Sequence, residues 1–213
     1  YGNQEYVVNF SNKGRDFTRG KHQFYKYYLK PCFSWTYISS SSLATRYFPE
    51  GFLWDVHGSS AFPIDSNNML YFLSLISSKV GFFILNIINP TISFQVENIA
   101  AVPVVLPNNG DNNKINNLSE INIDIAKTDW DSRETSWDFE QSPLLNNSSS
   151  LPESYVDWEE KVTEDFFKLH ENEEELNRIF IDIYALQDEL NSDVALKDIT
   201  ILKEELDRGE LES

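Results

Sequence analysis

The 213-residue sequence has a single cysteine, Cys32, and its three histidines are scattered at His22, His57 and His170. One cysteine excludes a disulfide scaffold and a cysteine-rich zinc site, and it is consistent with a reducing cytoplasm. The histidines form no visible ligand cluster, so we expect no metal site. The chain opens on Tyr1 without a methionine, a basic n-region or a leader, so we expect a piece of a longer, cytoplasmic protein.

Positive charge is also scarce, because 17 Lys and Arg residues stand against 34 Asp and Glu residues, for a net charge of -17. The excess of acidic residues is unevenly distributed along the chain. Up to Pro107 the chain has eight basic and six acidic residues, or +2, and its first 46 residues have seven and two, or +5. The 106 residues after Pro107 have nine basic and 28 acidic residues, or -19. This asymmetry predicts two segments with different partners.

Hydrophobic residues make up 41% of the chain, which is enough for a packed core. Residues 33–38 alternate apolar and hydroxyl side chains, the pattern of a half-buried strand. The sequence predicts a strand over residues 46–48, a turn over 49–51 and a second strand over 52–56. The front of the chain is therefore expected to be rich in β structure.

Residues 69–88 are the most apolar window of the sequence. A membrane span of this length would place Lys79 near its centre, at a cost of about 2.5–3.5 kcal/mol. We therefore predict a buried helix on the sheet and no membrane partner, with the helix ended by Asn89-Pro90. Alternation over residues 91–96 predicts another strand, and residues 102–107, bounded by proline, predict an edge strand.

The second half of the chain is expected to be a linker followed by helices. Residues 108–117 are polar and rich in asparagine, which predicts a linker, and the aromatic residues Trp130, Trp137 and Phe139 are expected to strap it onto a hydrophobic surface. Pro152 suits a first helical turn. Asn172 and Glu175 resemble a capping box that begins a second helix, over about 173–190. That helix is expected to pack on the preceding one through Leu176, Phe180, Ile183 and Leu190.

These elements predict an α+β fold with a small mixed sheet and a packed helix, followed by an acidic linker and a helical segment. The predicted units are a recognition domain at 1–107, a linker or strap at 108–150 and a helical segment at 151–213.

Several stretches of the sequence resemble catalytic motifs, but none is a complete match. Residues 14–21 end in Gly-Lys, as a phosphate-binding loop does, but His22 stands where the loop needs a hydroxyl for magnesium. The chain also lacks the Asn-Pro-Pro-Tyr motif with which adenine methyltransferases hold a flipped base. We therefore expect no catalytic residue in this chain. Asp55, His57 and Ser59 have the spacing of residues on one strand face and could suggest a nucleophilic triad, but a polar strand edge explains them. Residues 159–161 with Asp65 resemble the carboxylates of a metal nuclease, but the acidic background of a helix explains them.

Several blocks of sequence resemble the target-recognition region of the PglX family, the adenine-specific DNA methyltransferases of the BREX phage-exclusion system. Blocks 129–139 and 173–188 carry the specific motifs Thr-Ser-Trp-Asp-Phe and Leu-Asn-Arg-Ile-Phe, and the helix followed by Asn-Pro-Thr-Ile and Val-Pro-Val is more generic. The remaining blocks are residues 35–47, 49–56, 75–80, 89–99 and 102–104. The resemblance implies an upstream catalytic domain that uses S-adenosylmethionine, with other phage-defence proteins as further partners.

From charge and residue type we predict that the front segment binds double-stranded DNA. Basic side chains suit phosphates, and hydroxyl groups suit phosphates or base edges. The alternative is that the acidic half is a protein-interaction scaffold or a DNA mimic that docks a basic partner, and a freestanding hydrolase rests only on the failed motifs. The predicted DNA-binding residues are Lys21, Lys26, Lys30, Thr36, Ser39, Ser40, Ser41, Ser42 and Arg46.

Overall fold

The described residues form a small antiparallel sheet and five α-helices, which confirms the predicted α+β class. The computed structural model describes residues 1–2, 4–11, 22–39, 43–54, 58–145, 150–199 and 201. The strands are β1 (Cys32–Trp35), β2 (Thr45–Phe48) and β3 (Ser60–Ala61). The helices are α1 (Met69–Ser77), α2 (Lys79–Ile88), α3 (Val96–Ala100), α4 (Asn109–Asp131) and α5 (Leu151–Tyr184). Short 3-10 helices cover His22–Tyr27, Ser66–Asn68, Pro143–Leu145 and Leu196–Asp198.

The sheet has the order β2-β1-β3, and both pairings are antiparallel. The register pairs Cys32 with Phe48 and Trp35 with Thr45, so β2 forms a hairpin with β1 and not with residues 52–56, the strand predicted after the turn at 49–51. Successive side chains point to opposite faces of a strand. Phe33 and Trp35 therefore share one face, and both are buried in the main core.

The apolar window forms two helices and not the single one predicted. Ser78 is extended and separates α1 from α2, which meet at a bend of 70°. The Ser78 hydroxyl caps α2 by accepting from the Gly81 amide at 3.1 Å. A Cβ atom on Gly81 would overlap the Leu75 carbonyl oxygen, so the close approach of the helices requires glycine there.

Within the described ranges, no single helix is long and apolar enough to span a membrane. The bent pair formed by Ser66–Ser77 and α2 meets the length and composition criteria jointly. Its side chains Tyr71, Leu75, Val80 and Leu85 are fully buried in the core of the protein.

One hydrophobic core joins the front of the chain to the helical half. Tyr71 on α1 and Phe180 on α5 are both inaccessible to solvent, and their ring centroids lie 5.5 Å apart. The same cluster includes strand and loop residues, so the sheet, α1, α2 and α5 are packed as one body. Its buried members include Phe33, Trp35, Leu43, Leu75, Val80, Leu85, Phe94, Ile115, Leu176 and Ile179.

The polar stretch 108–117, predicted to be a linker, forms the first turns of α4 instead. The Asn108 side chain caps this helix by accepting from the Asp111 amide at 3.0 Å. Asparagine has a low helix propensity, but burial of Ile115 and Ser119 overrides it. The proposed division of the chain at residue 107 stays a prediction.

The predicted capping box at Asn172 and Glu175 is also wrong, because α5 runs through both positions without a break. Asn172 is buried inside the helix and donates to Asn122 Oδ1 at 2.7 Å, so its side chain joins α5 to α4. The expected packing of a 173–190 helix on a preceding one does not occur, since the two are one helix. Pro152 does lie in the first turn, as predicted.

Three segments predicted to be strands are irregular. Residues 52–54 form no strand, and 55–56 lie outside the described residues. Residues 91–96 contribute only an isolated bridge between Ile38 and Ser93. Residues 102–107 join no sheet, because tyrosine hydroxyls satisfy their backbone. Tyr71 donates to the Val105 carbonyl, and Tyr184 accepts from the Val105 amide at 3.2 Å.

The aromatic strap is only partly as predicted. Trp130 and Phe139 are half-buried, but Trp137 is 68% exposed and is not the buried anchor that its size suggested. Its indole Nε1 instead donates to the Glu5 carbonyl at 3.1 Å. Trp137 therefore holds the segment near Glu5 by one polar contact.

We predict that Phe180→Ala lowers the free energy of unfolding by about 3–5 kcal/mol, because it leaves a cavity beside Tyr71. Trp137→Ala should lower it by less than about 1 kcal/mol, since an exposed ring and one hydrogen bond are lost. Chemical denaturation of both variants measures the difference. Equal losses would contradict this assignment of the core.

A second core cluster holds the end of the described chain against α5. Ile199 packs with Val162, Phe166 and Leu169 of α5 and with Ile125 of α4. The Val194 amide donates to Glu174 Oε1 at 2.9 Å, and its carbonyl oxygen lies 2.6 Å from His170 Nε2, so that nitrogen carries a proton.

Glu173 lies beside this contact. Burial raises the pKa of Glu173 to about 7; the His170 charge opposes that rise and the Asp198 charge adds to it. The carboxyl group of Glu173 therefore stays protonated in the native state at pH values where it is already ionised in the unfolded chain.

The contribution of Glu173 to the free energy of unfolding should consequently fall as the pH rises from its unperturbed pKa of 4.5 to about 7. We predict that Glu173→Gln becomes progressively more stable than the wild type over this interval and that the difference then levels off. Denaturation at a series of pH values measures it. Glu171→Gln, which changes an exposed side chain on the same helix, is the control. A difference that does not change with pH would contradict the burial of Glu173.

Candidate nucleic-acid interface

The predicted serine loop is the connection between β1 and β2. The Thr36 amide donates to the Ala44 carbonyl at 2.9 Å, which extends the ladder one step beyond the strands. Thr36 is half-buried, as is Ser39. Ser40, Ser41 and Ser42 lie outside the described residues. This connection thus places Thr36 and Ser39 at one end of the sheet.

Lys26 and Lys30 are exposed, as their proposed role requires. Lys26 lies in the 3-10 helix His22–Tyr27, and its Nζ is 4.8 Å from the centroid of the Tyr27 ring. Lys30 follows Leu29, whose φ of 63° turns the chain toward β1. Two backbone hydrogen bonds fasten this turn, from the Leu29 amide to Phe52 and from the Gly51 amide to Leu29. Lys21 lies outside the described residues.

An aromatic cluster that the sequence reasoning did not identify lies beside these lysines. Trp54 is at its centre, with ring centroids 5.6 Å from Tyr28 and 5.8 Å from both Phe24 and Phe62. Tyr27, the residue under Lys26, packs on Phe62 at 5.0 Å. The rings hold the Lys26-bearing helix against residues 54 and 62. The density of aromatic residues over 24–28 was the available sequence signal.

Arg46 is half-buried in the middle of β2 and pairs with Ser34 of β1. Tyr47, its neighbour, packs on the main core, so Arg46 points to the other face of the sheet.

The hairpin therefore separates the candidate residues into two groups. Lys26 and Lys30 lie toward the Cys32 end of β1, and Thr36 and Ser39 lie beyond its Trp35 end, about 13 Å away along the strand. Arg46 lies between the two groups. The sequence did not predict this division, because it depends on the register of the strands.

The basic side chains of the two halves differ in their partners. In the acidic half, ion pairs with carboxylates hold Lys114, Lys127, Arg133, Lys161, Lys168 and Arg178. Among the residues that the structure describes, Lys26, Lys30 and Arg46 take part in no ion pair. No described carboxylate neutralises their positive charges.

The residues of the failed catalytic motifs have structural roles where they are described. Asp65 caps the 3-10 helix Ser66–Asn68 by accepting from the Asn67 amide, and the Ser59 carbonyl accepts from the Ser34 hydroxyl at 2.9 Å. Lys161 pairs with Asp165. Asp55 and His57 lie outside the described residues. In the described part of the chain, no group of His, Cys, Asp and Glu side chains is arranged to hold a metal ion.

Known proteins similar to this chain are adenine-specific methyltransferases. Adenine-specific methyltransferase PglX of Lacticaseibacillus casei (strain Zhang) is 32% identical over 98% of the chain, and adenine-specific methyltransferase BrxX of Escherichia coli O9:H4 (strain HS) is 27% identical over 88% of it. The chain is homologous to a segment of each, which agrees with the resemblance in its motifs. It spans 18% of the first protein and 15% of the second. No family model matches the chain.

Proposed function

We propose that this chain is a DNA-recognition region of an S-adenosylmethionine-dependent adenine-N6 DNA methyltransferase in a phage-defence or restriction–modification system. The observation that carries the proposal is the set of three front-segment cations, Lys26, Lys30 and Arg46, without a described carboxylate partner. Homology to two adenine-specific methyltransferases supports the class of parent enzyme. The methyl transfer and the cofactor would belong to a catalytic domain elsewhere in the protein.

The basic and the hydroxyl side chains would make different kinds of contact with the duplex. Lys26, Lys30 and Arg46, together with Lys21, would neutralise phosphates and set the position of the protein. The hydroxyl groups of Thr36 and of residues 39–42 would donate to phosphates or to base edges. Separation of the two groups by the length of β1 lets one duplex contact both ends of the hairpin.

The acidic half would be a scaffold that does not touch DNA. Its net charge of -19 opposes the approach of phosphates, and six of its basic residues are already engaged in ion pairs. Its residue Phe180 packs in the hydrophobic core that it shares with the front segment. We propose that its outer face docks the catalytic domain or another defence protein. A DNA mimic is the alternative, and such a surface would compete with DNA for a basic partner.

Replacing Lys26, Lys30 and Arg46 together with alanine should weaken duplex binding by the full native-length protein. Loss of up to three phosphate contacts should make the slope of log affinity against log salt less steep by up to about 2.7. Fluorescence anisotropy with a labelled duplex, at several salt concentrations, measures the affinity and the slope.

The matched control is the alanine triple at Lys114, Lys161 and Lys168, which removes the same charge from the acidic half. This control should leave both the affinity and the slope close to those of the wild type. An unchanged slope in the front-segment variant, or an equal change in the control, would contradict the proposal. A wild-type protein that displaced DNA from a basic partner without binding it would support the mimic.

A further inference from the structure

A polar loop, residues 89–95, lies directly beside residues 37–39, which lead into the serine segment 39–42, because the two backbones pair. Ile38 and Ser93 form an antiparallel bridge. Hydrogen bonds flank this bridge on both sides, from the Ser39 amide to the Ile92 carbonyl at 2.9 Å and from the Phe94 amide to the Tyr37 carbonyl at 2.8 Å. Residues 37–39 and 92–94 therefore lie side by side, joined by one bridge and two hydrogen bonds.

Asn89 fixes the shape of the loop. Its Nδ2 donates to the Ser93 carbonyl at 2.7 Å and to Asn98 Oδ1 at 3.0 Å. Its Oδ1 accepts from both the amide and the hydroxyl of Thr91, at 3.1 and 2.7 Å. One side chain thus joins three points of the loop and its flank, which leaves few alternative conformations for Thr91 and Ile92.

The loop is also anchored in the core. Phe94 is buried, and its ring lies 6.2 Å from that of Phe82. The Phe94 carbonyl accepts from the buried Trp35 indole at 2.9 Å, which ties the loop to β1. A reading element has to be held on such a rigid support, because small displacements weaken a specific contact.

Charge distinguishes this surface from the rest of the molecule. The chain has 34 acidic residues, yet none lies between Asp16 and Glu50 or between Asp65 and Glu97. The serine segment comes from the first of these stretches and the loop from the second. The two paired segments therefore belong to long acid-free stretches, and a polyanion can approach them without repulsion from their own residues.

We propose that loop 89–95 is a second DNA-reading element, which contacts the same groove as the serine segment through the exposed side chains of Thr91 and Ile92. This inference rests on the proposed function. Ile92, which is 59% exposed, suits apolar contact with the thymine methyl group, which lies in the major groove. Asn89 is a positioning residue that does not touch DNA.

The test measures sequence preference and overall affinity separately. The full native-length protein selects from a double-stranded oligonucleotide library with a randomised centre, and the affinity for the selected duplex is compared with that for a scrambled one. Ile92→Ala should lower this ratio about tenfold while affinity for the scrambled duplex stays the same. Ile64→Ala, which changes a fully exposed isoleucine in another loop, is the control and should leave the ratio within about twofold.

Asn89→Ala should change the preference at the same base pairs as Ile92→Ala. A purely structural role would instead lower the melting temperature and weaken all duplexes alike. If the wild type selects a sequence and Ile92→Ala selects it equally well, the inference is wrong and the proposed function stands. If the wild type shows no preference for any duplex, both fail.

Discussion

The packing of Tyr71 against Phe180 is the contact on which the rest of the structure depends. It joins α1, which lies under the sheet, to the last turns of α5, the longest described helix, and it excludes solvent from both rings. Burial also raises the pKa of the Tyr71 hydroxyl, so this group stays protonated and donates to the Val105 carbonyl. Tyr184, one turn beyond Phe180, holds Pro103 and Val105 in the same way. The front segment, the extended stretch after α3 and the helical half are thus held by one set of aromatic side chains.

This packing relates the uneven distribution of charge along the chain to the fold. The acidic half supplies the apolar face on which the front segment is built, and it pairs most of its own cations internally. The front segment keeps Lys26, Lys30 and Arg46 apart from described carboxylates. A strongly acidic chain can in this way present a local surface suited to phosphate, because screening in salt confines charge effects to about 10 Å.

The sequence predicted the elements whose signals are local. Alternation over 33–38 indicated β1, the pattern at 46–48 indicated β2, and the apolar window indicated buried helical structure, although not the pairing of the two strands or the break at Ser78. It missed features that depend on tertiary contacts. The bend at Ser78 requires the close approach of Gly81 to Leu75, and the helix over 109–131 forms despite its asparagines because Ile115 is buried. The exposure of Trp137 likewise depends on what surrounds it.

The same distinction applies to the candidate site. Exposure of Lys26 and Lys30 followed from their charge, and the position of Thr36 beside a loop followed from the strand pattern. Residues 91–96 of the neighbouring loop were predicted to be a strand. They form one isolated bridge instead, and the Asn89 side chain fixes the shape of the loop. An Asn-Pro-Thr sequence is a turn signal that pointed to this outcome.

Hydrogen–deuterium exchange of the native-length protein, with and without duplex DNA, tests the central claim most directly. The account predicts slower exchange on DNA binding in residues 22–39, 43–48 and 89–95, and no change along the outer faces of α4 and α5. Protection confined to α4 and α5, or no protection anywhere at DNA concentrations that saturate binding, would contradict it.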